Sequence, residues 1–345
     1  MKHHFSIILI FALVFAPLEA GRRGRVPSGR PACELGPSSP AALEYEVRLP
    51  EFYHRRDTVE VTIVGDVMMH KRQLEYDFRT FLEEIRPALG KPEITVAGAE
   101  FTLGGKPYTG YPQFSAPDEY AEYLRDCGVD VLLTANNHIL DRGSKGFART
   151  LGVYRSMSGV KFTGSGADKA EFDSLNPLIL RTKNFTLALL NFTYGTNLGG
   201  QSEYPRATRL RREDVLPMIE RAKAAGADFI IALPHWGDEY VLTHNALQEE
   251  WAQWLVAQGV DAVVGAHPHV VQDSCTIDGC PVFYSLGNLV SNMSAPNTQV
   301  GLVVTLRFEY DWLSGGKRQL PPLARRTWCA LPGTRTPSYS TYFLD

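Results

Sequence analysis

The sequence predicts a layered α/β domain that has a mixed sheet and helices on both outer faces. Two observations favour this fold class. Apolar runs of β-type residues alternate with helical patterns through most of the chain, which is typical of parallel strands joined by helices. The strand patterns at 282–286 and 300–308 then follow one another without a helical pattern between them, which favours antiparallel pairing at the end of the domain.

The composition is that of a globular protein with a sizeable core. The 345 residues are 44% hydrophobic and 21% charged, and this length permits a single α/β domain. The net charge is −3 and the sequence contains no basic stripe. We therefore expect no nucleic acid partner.

The N-terminus has the features of a secretory signal peptide. An apolar run at 7–16 follows Lys2, and cleavage after Ala20 would remove residues 1–20. Because two arginines follow the cleavage site closely, an uncleaved membrane anchor stays open as an alternative. Residues 21–55 are rich in Gly, Pro, Arg and Ser and are predicted to form a disordered spacer. The expected location is therefore the periplasm or cell envelope.

The individual elements follow from periodicity and from turn residues. Strands are predicted at 59–64, 94–97, 131–134, 230–233 and 262–264. Two further strands, at 178–180 and 185–192, form either a hairpin or two edge strands. Helices are predicted at 77–89, 115–127, 146–157, 212–225 and 246–258. Ser115 is expected to cap the second of these by accepting from the amide of Asp118. These elements define a domain at 56–310, and the order of the tail at 311–345 is left open.

The five cysteines include one pair that a turn could bring together. Cys275 and Cys280 flank four residues that contain Asp-Gly, a common hairpin turn, and we predict a disulfide between them. Cys127 lies at the end of a helical pattern and is predicted to be a small buried side chain.

Polar side chains follow the apolar strands at the points where those strands end. These candidate site residues are Asp66, Glu100, Asn137, His138, His235, His267 and His269. Each one alone has a structural explanation: Asp66 could cap a helix, Glu100 could be a solvated loop carboxylate, and Asn137 could form a turn. Because the carboxyl ends of neighbouring strands meet at one edge of a sheet, we expect the whole set to lie together.

The chemistry of this set indicates a divalent metal centre. Carboxylate, amide and imidazole groups are together typical ligands of one or two Mn, Fe or Zn ions. His138 is the candidate catalytic residue, because an imidazole beside the Asn137 amide could donate a proton to a leaving group. The other six residues are candidate metal ligands.

Eight short segments resemble the capsule-synthesis CapA proteins, also called poly-γ-glutamate biosynthesis proteins. They occur in the family's order over roughly residues 59 to 308: GDVM at 65–68, TLGG at 102–105, GYPQFSAP at 110–117, ANNH at 135–138, DRG at 141–143, HWGDEY at 235–240, GAHPHV at 265–270 and YSLGN at 284–288.

The resemblance implies a metallophosphatase-like, calcineurin-type fold, which is a four-layer αββα sandwich. It makes Asp66 the first carboxylate ligand, Glu100 the bridging acid, Asn137 the amide ligand and His138 the proton donor, with His235, His267 and His269 as the remaining ligands. Two positions depart from the pattern. Met68 stands where the superfamily has a histidine, and Gly98 stands where the family has an asparagine, so one ion, two ions or none stay open.

The resemblance also implies a role at the cell envelope. We expect an exported protein that takes part in the synthesis, export or anchoring of poly-γ-glutamate or a similar capsular polymer. Its partners would be that anionic envelope polymer and a membrane polymer-synthesis complex. One alternative is a metal-dependent phosphoesterase or amidase that uses a metal-bound hydroxide with His138 as general acid. Another is a non-catalytic polymer-binding module.

Overall fold

Two β-sheets face each other at the centre of the protein in a computed structural model that describes residues 55–182, 184–200, 203–333 and 336–344. The predicted signal peptide lies outside the described residues, as does the predicted spacer up to residue 54. Among the helices of the described ranges, none combines the length and the apolar character that crossing a membrane requires.

The strands divide between two large sheets and one small one. Their bounds are β1 (Arg56–Val67), β2 (Ile94–Ala99), β3 (Val131–Leu133), β4 (Lys161–Thr163), β5 (Ser165–Gly166), β6 (Leu178–Arg181), β7 (Thr186–Thr193), β8 (Arg206–Ala207), β9 (Phe229–His235), β10 (Ala262–Val264), β11 (Ser274–Ile277), β12 (Cys280–Phe283), β13 (Asn288–Val290), β14 (Val300–Asp311), β15 (Lys317–Ala330) and β16 (Ser340–Phe343). The first sheet has the order β16-β15-β14-β1-β2-β3-β4, with β13 beside β1. The second has the order β11-β12-β10-β9-β7-β6, and β5 pairs with β8.

Both large sheets are mixed. Strands β1 to β4 are parallel to one another, whereas β14, β15 and β16 pair in antiparallel fashion. In the second sheet β7, β9, β10 and β12 are parallel, and the hairpins β6–β7 and β11–β12 add an antiparallel strand at each edge. The parallel strands place their carboxyl ends at one edge of each sheet.

Within the described ranges, six α-helices accompany the sheets: α1 (Arg86–Leu89), α2 (Asp118–Asp126), α3 (Gly143–Ser156), α4 (Lys169–Leu175), α5 (Arg212–Ala224) and α6 (Ala246–Ala257). Side-chain alternation along the strands assigns each sheet two buried faces. Val96 and Ile231 pack between the sheets, whereas their neighbours Ala97 and Ala232 pack toward helices. The first sheet is covered by α2 and α3, and the second by α5 and α6. The predicted αββα sandwich is therefore confirmed.

The helix predicted at 77–89 is wrong as a continuous element. A 3₁₀ turn at Phe78–Thr80 and the short α1 replace it, and Pro87 lies in the first turn of α1. Proline lacks the N–H that a helix interior needs and clashes with the preceding turn, so the chain starts a new helix there. The expected cap of α2 is also wrong, because Pro117 precedes that helix and the Ser115 hydroxyl donates to the Gly105 carbonyl (2.7 Å).

The described part of the tail after residue 310 belongs to the first sheet. Strand β15 pairs with β14 along most of its length, and Cys329 and Tyr339 are buried in the core on the α2 side. Much of β15 is exposed, so its sequence lacks the alternation by which a half-buried strand is recognised.

The predicted disulfide between Cys275 and Cys280 is absent, and both cysteines are free. The hairpin turn consists of two residues, Asp278 and Gly279, whose φ values are 48° and 86°. This tight turn pairs Ile277 with Cys280 and Cys275 with Val282, so the two cysteines are not opposite each other. Cys127 is buried, as predicted.

Candidate metal centre

The seven candidate residues lie together where the two sheets meet. Asp66 is at the end of β1, Glu100 follows β2, and Asn137 and His138 follow β3. From the second sheet, His235 ends β9, while His267 and His269 follow β10. Every one of these side chains is almost completely buried, with at most 4% of its residue exposed. Sequence positions that span about 200 residues therefore form one cluster.

The two carboxylates have oxygens without hydrogen-bond donors among the described residues. Asp66 Oδ2 accepts from the His267 amide (3.0 Å), but Asp66 Oδ1 has no donor. Both oxygens of Glu100 lack a donor, although its residue is completely buried. A buried carboxylate normally has several donors or a cation, because its desolvation is otherwise uncompensated. Glu100 therefore indicates a cation at this place.

The imidazoles surround these carboxylates at distances too long for direct hydrogen bonds. Glu100 Oε1 is 3.7 Å from His235 Nε2, and Glu100 Oε2 is 3.8 Å from His269 Nδ1. Asp66 Oδ1 is 3.8 Å from His235 Nδ1. Two ligands of one ion, each about 2.0 to 2.2 Å from it, lie roughly 3 to 4 Å apart. Glu100, His267 and His269 each offer one ligand atom within 4.8 Å of the others. The residues therefore fit a divalent ion.

Hydrogen bonds outside the cluster fix two of the rings. His138 Nδ1 donates to Asp141 Oδ2 (2.7 Å), which leaves Nε2 facing Glu100 Oε1 at 3.9 Å. His269 Nδ1 donates to Asn288 Oδ1 (3.0 Å), since the Asn288 amide nitrogen itself donates to the His269 and Thr298 carbonyls. This bond leaves Nε2 as the ligand atom of His269, so the 3.8 Å distance from its Nδ1 to Glu100 does not bear on ion binding. Outer partners of this kind orient ligand imidazoles in known metal sites.

Asn137 and His235 form a pair that is satisfied without an ion. His235 Nε2 donates to Asn137 Oδ1 over 2.7 Å. Both atoms are also of the ligand type, and their separation is compatible with one shared ion. This contact is compatible with a site that holds an ion and with one that does not. The unpartnered oxygens of Glu100 favour the site that holds an ion.

Burial shifts the pKa of these ionisable groups in the direction that favours the neutral form of each group. Desolvation raises the pKa of Asp66 to about 7 and, together with the charge of Asp66, raises the pKa of Glu100 well above its usual range. Desolvation likewise lowers the pKa of His267 to about 4 and of His269 to about 3, and the pKa of His235 falls well below its usual range. The imidazoles are therefore held in the neutral form that binds metals.

The backbone of the cluster is strained at three positions. His267, His269 and Tyr240 have φ values of 102°, 58° and 66°, which non-glycine residues rarely adopt. The Tyr240 amide donates to the Pro268 carbonyl (2.9 Å) and ties the two loops together. Strain of this kind is concentrated at functional sites, where surrounding structure holds it in place.

Glycines permit the close approach of β1 to its neighbours. A Cβ atom at Gly65 would lie 1.9 Å from the Gly287 carbonyl oxygen, and one at Gly98 would lie 3.1 Å from Asp66 Oδ1. Gly98, which replaces the family's asparagine, therefore leaves the space next to Asp66 free. Met68, at the position of the superfamily's histidine, is buried in the core on the α2 side.

Three further polar residues at the centre were not given a role from sequence. Asp141 and Asn288 hold His138 and His269, and both lie in segments that share the family pattern. The signal for Asp141 was its position three residues after His138. His70 is the third: its Nε2 is buried without a partner among the described residues, and burial and the charge of His138 lower its pKa to about 4.

Comparisons with known proteins relate this chain to capsule synthesis proteins. A family model described as bacterial capsule synthesis protein PGA_cap matches residues 60–293. The "Capsule biosynthesis protein CapA" of Bacillus anthracis is 26% identical over 277 residues, which are 75% of this chain and 66% of that protein. The "PGA biosynthesis protein CapA" of Bacillus subtilis is 26% identical over 324 residues, which are 88% of this chain and 76% of that protein.

The fold is also similar to a solved structure. A putative 5'-nucleotidase from Staphylococcus aureus superposes with a TM-score of 0.51, over 78% of this chain and 54% of that chain, at 11% identity. At this identity the likeness concerns the fold alone, which is metallophosphatase-like. Because the family match covers more than half of the sequence, this chain belongs to the PGA_cap family of bacterial capsule synthesis proteins.

Proposed function

We propose that this protein is a metal-dependent hydrolase that acts on an anionic capsular polymer of the poly-γ-glutamate type or on its precursor. One observation carries the proposal: both carboxylate oxygens of Glu100 are buried without a donor among the described residues. The names of the CapA relatives support the choice of polymer. Export to the periplasm or cell envelope would bring the site to that polymer, and a membrane polymer-synthesis complex would be its partner.

The ligand set would consist of the six residues predicted from sequence: Asp66, Glu100, Asn137, His235, His267 and His269. One or two Mn, Fe or Zn ions held there would polarise a phosphoryl or carbonyl oxygen and lower the pKa of water. The hydrogen bond from His269 to Asn288 and the strained loop at His267–His269 would hold the ligands in position before an ion binds.

His138 would move the proton to the leaving group. Asp141 accepts from its Nδ1 and thereby directs Nε2 toward the centre. Asp141 Oδ2 itself accepts from the Phe114 amide (2.8 Å), and the Phe114 ring lies edge-on against His138 with a centroid distance of 4.7 Å. The ring is therefore fixed from two sides, as a positioned general acid requires.

Replacement of His138 tests this role. We expect His138→Gln to lower kcat by about 10²- to 10⁴-fold, because a positioned proton donor contributes that much, while the metal content stays that of the parent. His244→Gln is the matched control, because His244 lies outside the cluster and pairs with Asp273. Full turnover in His138→Gln would contradict the role.

Elemental analysis tests the proposed function itself. The protein, purified without added metal or chelator, is expected to contain about one or two equivalents of Mn, Fe or Zn. The variant His235→Ala/His267→Ala is expected to contain almost none, with His244→Ala as the control. A parent protein that stays empty after reconstitution would contradict the hydrolase and favour a polymer-binding role on the same fold.

A further inference from the structure

A cavity of about 400 Å³ borders the candidate centre and shares His267 with it. Its wall also includes Tyr194, Asp238, Glu239 and Leu247. Tyr194 follows β7, its amide donates to the His235 carbonyl (3.0 Å), and its ring centroid is 4.7 Å from that of His267. If the bond to be cleaved lies at the centre, the substrate group on one side of that bond would therefore occupy this cavity.

The charges on the cavity wall are negative. Asp238 and Glu239 are both exposed, and the lining contains neither lysine nor arginine among the described residues. Asn245 Nδ2 donates to Asp238 Oδ2 (2.8 Å), which fixes this carboxylate at the start of α6. After burial, the charge of Glu239 is the next cause that raises the pKa of Tyr194 and of Tyr240, each to about 12. The negative charge of Glu239 therefore lies close enough to disfavour ionisation of both tyrosine hydroxyl groups.

Apart from the amides of Asn245 and Gln248, the remaining wall is largely apolar and aromatic. Leu210 and Leu247 provide apolar surface, and Tyr194 is 47% exposed as a residue. His267 connects the cavity with the candidate centre, because it lines the cavity, is 3% exposed, and has no hydrogen-bond partner at Nδ1 within the described ranges. The cavity thus combines carboxylates, an accessible aromatic ring and room for a methylene chain.

We infer that this cavity is a subsite for an alkylammonium group, so that the substrate carries a primary amine on one side of the bond at the centre. The carboxylates of Asp238 and Glu239 match the charge, the Tyr194 ring suits a cation–π contact, and the leucines suit the methylene stem. A carboxylate-rich polymer segment would be repelled here. The inference rests on the proposed function and specifies its substrate as one that joins the anionic polymer, or its precursor, to an amine-bearing group.

Two probes that differ only in charge test the subsite. The first is Nα-acetyl-lysine amide, and the second is its 2-aminoheptanoic analogue, in which a methyl group replaces the ammonium group. Ligand-observed NMR titrations on metal-loaded and metal-free protein give the dissociation constants. We expect the lysine probe to bind about tenfold more tightly, since an exposed cation–π contact and two exposed carboxylates together are worth about that factor.

Neutralising the wall should remove this preference. In Asp238→Asn/Glu239→Gln the ratio of the two constants should fall to about one, and Tyr194→Leu should reduce it several-fold. The control Asp126→Asn/Glu220→Gln makes the same chemical changes at exposed positions that do not line the cavity and should keep the parent's ratio. Equal binding of both probes by the parent, or a preference that survives neutralisation, would overturn the inference.

Failure of the subsite and failure of the proposed function give different results. If the lysine preference is present but the protein neither holds metal nor shows turnover, the subsite stands and the hydrolase is wrong. If metal and turnover are present but the preference is absent, the hydrolase stands and the subsite is wrong.

Discussion

Replacing Glu100 with glutamine is expected to weaken metal binding by more than about 100-fold and at the same time to stabilise the metal-free protein. The carboxylate is completely buried, neither oxygen has a donor among the described residues, and Asp66 adds a second negative group beside it. With an ion present, these oxygens are compensated by charge. Without an ion they are a cost, which a neutral amide of the same shape reduces by on the order of 1 to 3 kcal/mol.

Thermal and denaturant unfolding, each with added metal and with chelator, measure both halves of this prediction. The parent should gain stability on metal addition, since a ligand that binds only the folded state stabilises it. Glu100→Gln should unfold at higher denaturant than the parent in chelator and should not respond to metal. Glu122→Gln, at an exposed position of α2, is the control. A variant that is less stable than the parent in chelator would show that Glu100 has a structural role independent of an ion.

Gly65→Ala is expected to destabilise the protein by at least about 3 kcal/mol, at the upper end of overpacking effects. The new Cβ would lie 1.9 Å from the Gly287 carbonyl oxygen, which accepts from the Asp66 amide over 3.0 Å. The atoms that this Cβ would meet belong to the backbone of Leu286 and Gly287, so the two segments must separate. Because Asp66 is the next residue, the same shift would move a candidate ligand and lower metal affinity.

Gly152→Ala provides the matched comparison for this substitution. Gly152 lies in α3, and the nearest atom to its added Cβ is 3.9 Å away. Alanine is the better helix former by up to about 1 kcal/mol, so this variant should equal or exceed the parent in stability. Denaturant unfolding of the three proteins gives the difference. A Gly65→Ala protein within about 1 kcal/mol of the parent would contradict the close contact between β1 and the Gly287 segment.

The fold was predictable because its main signals are local. The strands that become β1, β2, β9 and β10 are apolar runs, and the helices α5 and α6 match their predicted bounds within one residue at each end. The failures came from particular residues. Pro87 interrupts a helical pattern that is otherwise intact, and the two-residue turn at Asp278 shifts the partner of Cys275 by two residues, from Cys280 to Val282. Exposure of β15 removes its alternation, since a strand that is not half-buried has no reason to alternate.

The positions of the candidate site residues were also predictable, whereas their interactions were not. Seven side chains at strand ends converge because the carboxyl ends of the parallel strands in both sheets reach one edge. Which atoms contact each other depends on how the two sheets dock, and no sequence pattern specifies that. Asn288 and His269 are separated by 19 residues, and Asn137 and His235 by 98. Such contacts are known only once the fold is known.

The division of the cluster between the two sheets has a consequence for biosynthesis. Asp66 and Glu100 come from the first sheet and the three histidines from the second, so no short segment of the nascent chain contains the complete set. The centre can assemble only after His269 has been synthesised and both sheets have docked. Complete coordination of an ion would therefore require that both sheets have formed. For a protein that crosses a membrane unfolded, the compartment of arrival and its supply of ions would then decide which metal is incorporated, because ligand sets of this type do not select strongly among Mn, Fe and Zn by themselves.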